Sequence, residues 1–244
     1  MKNLKTKLTA AALVVCFASS GLFANNLQLT NFAIVNQAAG TVSFTITWAN
    51  SWRTLGVPLN NDAAWVFIKF RDCSVSDATE FTHGQINTTI GNHTFTNNGG
   101  FANVEPILRD GSAPGIDAAT NNTGIMLRPD ANGTGSINAD VTLLLNNLPA
   151  AGTLDIRVYG IEMVFIPQGN YQLGDGDNVN CSFNSLSSTA PVTSANIGHT
   201  SYLVTGEGAI TVYHWTGAST NISMNAGFPK GYNAFHIMKS LVSC

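Results

Sequence analysis

Apolar and hydroxyl side chains alternate strictly over residues 41–48, where Val42, Phe44, Ile46 and Trp48 interleave with Thr41, Ser43, Thr45 and Thr47. A period of two puts the sets on opposite faces, which predicts a half-buried β-strand with a threonine-lined solvent side. Residues 27–35 alternate more loosely and are expected to pair with that strand across a turn at 36–40. Residues 63–70 carry Trp65, Val66, Phe67 and Ile68 in succession, the pattern of a strand covered on both faces. Further strands are expected within 124–128, 136–145, 153–166 and 201–213, separated by Asn-, Gly- and Pro-rich turns at 97–100, 110–115 and 129–133. No stretch sustains a 3.6-residue apolar stripe. The expected fold is mainly β, with an N-terminal β-sandwich.

Composition sharpens this picture. Hydrophobic residues make up 44% of the 244-residue chain and charged residues only 10%, too apolar for a disordered chain. Eleven Lys and Arg against 14 Asp and Glu give no basic stripe, so nucleic acid is excluded as a partner. Asparagine, about one residue in nine, joins Ser, Thr and Gly in favouring turns over helix interiors.

The first 24 residues read as a signal peptide. Lys2, Lys5 and Lys7 precede an apolar run over 8–23, and Ala24 supplies the small residue before Asn25. The run is too short for a membrane span, and no second one follows. Lipid attachment at Cys16 is the rival reading, but Val15 is not the small residue it wants. The protein is therefore expected to be exported, to the periplasm, the exterior or the cell surface. Removing residues 1–24 takes three of the 11 cations and none of the 14 acids, so the mature chain carries −6. That overall charge disfavours anionic membranes and phosphates as partners. Three cysteines remain, Cys73, Cys181 and Cys244, so one disulfide leaves an odd thiol and the pairing of Cys73 with Cys181 stays open.

Beyond Pro167 the composition shifts. Residues 168–200 are almost uncharged apart from Asp175 and Asp177 and rich in Asn, Ser, Thr and Gly. A domain boundary is expected near 159–160, giving a β-sandwich over 25–158 and a second unit over 159–244. No nucleophile elbow, His-Glu-x-x-His, phosphate loop or dinucleotide fingerprint occurs, and His83, His93, His199, His214 and His236 lack ligand spacing. Asp175, Asp177 and Asn178 on a glycine-bearing loop are the candidate Ca²⁺ ligands, with an ordinary Asx-rich turn as the alternative. Trp48, Trp52 and Trp65 fall within eighteen residues. The alternation sends Trp48 inward, whereas Trp52 beside Arg53 is the candidate site for a glycan or a cell-surface protein, by ring stacking and hydrogen bonding. Sequons at Asn87, Asn92 and Asn132 arise readily in so Asn-rich a chain.

Residues 160–174 (Gly-Ile-Glu-Met-Val-Phe-Ile-Pro-Gln-Gly-Asn-Tyr-Gln-Leu-Gly) resemble the opening strand of the formylglycine-generating enzyme, or sulfatase-modifying factor, family. Residues 228–239 (Phe-Pro-Lys-Gly-Tyr-Asn-Ala-Phe-His-Ile-Met-Lys) are similar to the family's second landmark. Residues 50–53 and 62–69 are similar to the β-rich segment preceding this domain in secreted bacterial members. The resemblance implies an N-terminal accessory β domain followed by the incomplete start of a formylglycine-generating-enzyme-like domain. The family's activity is copper-dependent oxidation by a cysteine pair near the far end of a much longer domain. Here Ser240-Leu241 stands where an aromatic and Glu would follow, and Cys244 does not match a catalytic position. No catalytic residue carries over, and the chain as it stands is expected to be inactive as an oxidase. The alternative expectation is a secreted β-sandwich binding module.

Overall fold

The computed structural model describes residues 26–74, 80–118, 122–174, 183–184, 201–215 and 219–240. Its first strand, β1 (Gln28–Asn36), pairs antiparallel with β2 (Thr41–Arg53), as the alternation leads one to expect. The turn between them needs glycine at position 40, because φ is +79° and a Cβ there would stand 2.4 Å from the carbonyl oxygen of Leu145. β3 (Asn61–Asp72) returns alongside, followed by the two-residue β4 (Thr82–His83), β5 (Thr94–Asn97) and β6 (Val104–Ile107). β7 (Ile125–Pro129), β8 (Gly133–Leu144) and β9 (Leu154–Ile166) complete the main body. One turn of 3-10 helix at Ile90–Asn92 is the only helix among the described residues. None of their helices is long and apolar enough to cross a membrane. The fold is mainly β and its ladders are antiparallel.

β2 and β3 meet at a single pair, Arg53 with Asn61, and from that corner the ten-stranded sheet opens into two arms. One arm is β1-β2-β8-β5; in the other, β3 lies between β9 on one side and β7, β6 and β4 on the other. Inward residues of both arms share one core, with Phe44 and Ile46 of β2, Val66 and Ile68 of β3, Leu127 of β7 and Val141 of β8 all fully buried. Their burial is the main stabilising term, worth about 1.5–3 kcal/mol for each large side chain. The outer face of β3 is partly covered too, since Trp65 packs with Ala63, Ile107 and Met126. This is the two-sided coverage read from residues 63–70.

β9 runs unbroken through residues 158–160 and pairs with β3 from Leu154 to Phe165. The expected domain boundary therefore falls inside a strand of the main sheet. Beyond β9, the short strands β10 (Tyr171–Leu173) and β12 (Tyr202–Val204) pair with each other. The strands β11 (Phe183–Asn184), β13 (Ile210–Trp215) and β14 (Ser219–Met224) form a third sheet. Val204 and Ile210 centre a small cluster of their own with Tyr171, Tyr202 and Tyr232. The chain then returns to the main sheet as β15 (Phe235–Met238), antiparallel to residues 163–166 of β9.

A β-bulge in β2 sets up the corner. Between the pairs Trp48–Ile137 and Ser51–Gly135, β2 uses one residue more than its partner, and Asn50 takes φ +53°. The extra residue reverses which side chains point inward. Trp48 and Ser51 are both buried, and both face Asp62. Trp48 Nε1 donates to Asp62 Oδ2 at 3.0 Å; Ser51 Oγ and the Trp52 amide donate to Oδ1 at 2.7 and 3.1 Å. Burial pushes the Asp62 carboxyl above its usual range, and the three donors pull the other way. Replacing Asp62 with Ala leaves these donors without that acceptor. The Asp62→Ala variant is expected to lose about 2–4 kcal/mol, a fall of about 5–15 °C in a calorimetric melt.

Candidate binding cleft

At the β2/β3 corner the chain leaves the sheet as a loop over residues 54–60. Thr54 and Asn60 staple its base: the Thr54 amide donates to the Asn60 carbonyl at 2.9 Å, and Thr54 Oγ1 donates to Asn60 Oδ1 at 2.7 Å. Asn132 Oδ1 accepts the Leu55 amide at 3.0 Å. A loop closed at its neck displays what lies beyond it, here Leu55, Val57 and Leu59, with Val57 96% exposed. Leu59 sits in the left-handed region at φ +54°, which costs about 1–2 kcal/mol for a residue with a Cβ.

Beneath this lip lies a cleft of about 600 Å³. Leu55, Leu59 and Phe165 give it apolar surface, and Asn61, Ser112, Gln168 and Asn233 give it polar groups. The wall at 110–112 approaches Phe165 so closely that a Cβ at Gly111 would lie 2.0 Å from the ring, and Gly111 also has φ +72°. Only glycine allows that approach. Asp110 Oδ1 accepts the Ser112 amide at 2.9 Å, and hydrogen bonds from Ser112 hold the Asp110 carboxyl below its usual range.

The opposite wall is fixed by Glu207. Its carboxylate accepts the amides of Lys230, Tyr232 and Asn233 at 2.6, 2.8 and 3.0 Å, and these bonds, led by that from Lys230, lower its pKa. Lys230 is buried and its ammonium donates to the carbonyls of Asn225 and Phe228. Residues 233–234 are thereby held against the cleft.

Arg53 and Arg128 line the floor and share Glu105 as their partner. Arg53 Nη1 donates to Glu105 Oε1 at 2.8 Å and to the Pro129 carbonyl at 2.8 Å. Arg128 reaches the same Oε1 through Nε and Nη2, each at 2.9 Å. Burial holds the Arg128 guanidinium below its ordinary pKa, opposed by the hydrogen bond to Glu105.

Of the two residues singled out in the sequence, Arg53 lines the cleft and Trp52 does not. Trp52 is half-buried, with the Lys239 ammonium 5.2 Å from its ring centroid, a cation–π contact on the neighbouring surface. Arg128, Glu105, Asp110 and Phe165 were not anticipated. An arginine closing the apolar run 125–128 was the available signal for the first. Asp175, Asp177 and Asn178, the candidate Ca²⁺ ligands, lie outside the described residues, as do residues 1–24, read as a signal peptide, Cys181 and Cys244. Cys73 is exposed just beyond β3. Among the described residues no group of three or more His, Cys, Asp or Glu converges as a metal site.

Two histidines are tied to this architecture in their neutral form. His93 Nδ1 accepts the Leu144 amide at 3.2 Å, so the proton sits on Nε2, which donates to the Asn87 carbonyl at 2.8 Å. The His236 ring meets Phe165 at a tilt, with centroids 5.1 Å apart, and donates from Nδ1 to the Arg109 carbonyl at 2.9 Å. Burial lowers both pKa values. A depressed histidine pKa means that the unfolded chain takes up protons first, so stability falls as pH drops through the unfolded value of about 6.5. The melting temperature is therefore expected to decline between about pH 7 and pH 5, with a smaller slope in a His93→Gln/His236→Gln variant followed by calorimetry.

No family model, no curated protein and no solved structure matches this chain. The likeness to the sulfatase-modifying factor family rests on the residues quoted for it.

Proposed function

We propose that the mature chain is an exported binding module that holds a carbohydrate in the cleft at the β2/β3 corner. The supporting observation is the cleft itself, in which exposed aliphatic side chains on a stapled loop overhang amide and hydroxyl groups. Sugars present C–H faces and ring hydroxyls together, and such a mixed lining meets both. The left-handed Leu59 adds weight, because a backbone conformation that costs free energy persists where the surroundings hold it for a purpose.

The resemblance to the sulfatase-modifying factor family is a second, compatible reading, in which residues 160–174 and 228–239, built into the same sheet, are a segment of that family's type. One specific observation favours it. The two segments that carry the resemblance are neighbours, with Phe235, His236, Ile237 and Met238 pairing with Ile166, Phe165, Val164 and Met163. In this reading too the chain binds rather than oxidises, since no cysteine stands in a matching catalytic position.

A glycan array probed with the mature chain, followed by calorimetric titration of each hit, tests the proposal. Retention of a subset of glycans, weakened about tenfold by Gln168→Ala or Leu59→Ala, is the expected result. An array with no retained glycan would overturn it. Incubation with copper and a sulfatase-motif peptide should leave the peptide cysteine unmodified by mass spectrometry; conversion to formylglycine would overturn the non-catalytic assignment.

A further inference from the structure

We infer that the floor of the cleft is an anion site, so that the glycan it takes carries an oxyanion, a carboxylate or a sulfate ester, received by Arg53. This inference rests on the carbohydrate reading above and narrows it to acidic sugars.

The floor is charged unequally. Arg53 and Arg128 both pair with Glu105, and all three hydrogen bonds fall on the single oxygen Oε1. The two arginine side chains are only 12% and 10% exposed, and that of Glu105 is 23% exposed. Within this trio two cations and one anion leave one positive charge, which Asp110, elsewhere in the cleft lining, balances only from beyond ion-pair distance. Asp110 lines the same cleft but lies beyond ion-pair distance of either arginine among the described residues. Its carboxylate serves its own turn through Ser112.

Arg53 is the better placed of the two to receive a ligand. Arg128 uses Nε and Nη2 on Glu105, whereas Arg53 commits Nη1 alone, to Glu105 and Pro129. Its Nε and Nη2 make no hydrogen bond to any described residue, and together they present one edge of the guanidinium fork. Such an edge matches two oxygens of one carboxylate or sulfate, and charge-assisted pairs of this kind are the strong ones. The mature net charge of −6 does not oppose this, because charges beyond about 8–10 Å are screened at physiological salt while those lining the cleft act directly.

Arg53→Met is a clean test, since it removes the proposed receiving guanidinium and leaves the Arg128–Glu105 pair intact. The probes are trigalacturonic acid, its methyl ester and a sulfated neutral trisaccharide, titrated calorimetrically into the mature chain in about 0.15 M salt. The acid should bind at least about tenfold more tightly than the ester, and the gap should close in Arg53→Met and persist in part in Arg53→Lys. Unchanged melting and near-ultraviolet dichroism of both variants would exclude misfolding as the cause. Comparable binding of the sulfated sugar assigns the site to oxyanions in general; its failure assigns it to carboxylates. Equal binding of acid and ester would overturn the anion site while leaving the carbohydrate reading intact, and binding of none of the three probes or of any arrayed glycan would overturn both.

Discussion

Asp62 is a carboxylate inside a β core with three donors aimed at it, and the geometry of the corner depends on that constraint. A buried charge is unfavourable unless its oxygens are occupied. The occupants come from β2 on either side of its bulge: the Trp48 indole before it, and the Ser51 hydroxyl and Trp52 amide after it. They fix where β2 bends, and so where Arg53 leaves the sheet. Without the bulge, strict alternation from Trp48 would send Asn50 and Trp52 inward rather than Ser51.

The same bend joins packing to the shape of the cleft. Arg53 pairs with Asn61 at the corner, which opens the sheet into its two arms and closes the neck of the 54–60 loop. Glu105 from β6 and Arg128 from β7 converge on Arg53 from the second arm. Phe165 at the end of β9 and the returning residues 233–234 supply the remaining wall, so the cleft draws on chain segments far apart in sequence. The grouping of two arginines on one glutamate in its floor arises from strand packing, and no local motif encodes it.

Much of the fold was legible because its signals are local. The alternation of 41–48 gave β2, its loose partner gave β1, and the continuous apolar run at 63–70 gave β3, buried on its inner face and partly covered on its outer one. The inward course of Trp48 also followed from alternation. The bulge after Trp48 did not, since it depends on Asp62, a residue of the next strand. The short strands β4, β5 and β6 carry too few residues for a period to register, and their pairing is set by the neighbours they meet. Arg53 stood out beside Trp52, yet alternation after the bulge points the two side chains apart, and only tertiary packing brings Arg128 and Glu105 to Arg53. The boundary near 159–160 was read from a change in composition that begins several residues later, whereas β9 keeps its ladder to β3 through that point.

Amide and indole hydrogen exchange by NMR tests most directly whether Asp62 holds the corner. In the wild-type chain the Trp48 indole N–H and the Trp52 amide should exchange as slowly as the central amides of β2. In Asp62→Ala, measured well below its melting temperature, both should exchange far faster while the amides at Phe44 and Ile46 keep their protection. Unchanged protection of Trp48 and Trp52 in Asp62→Ala would contradict the account.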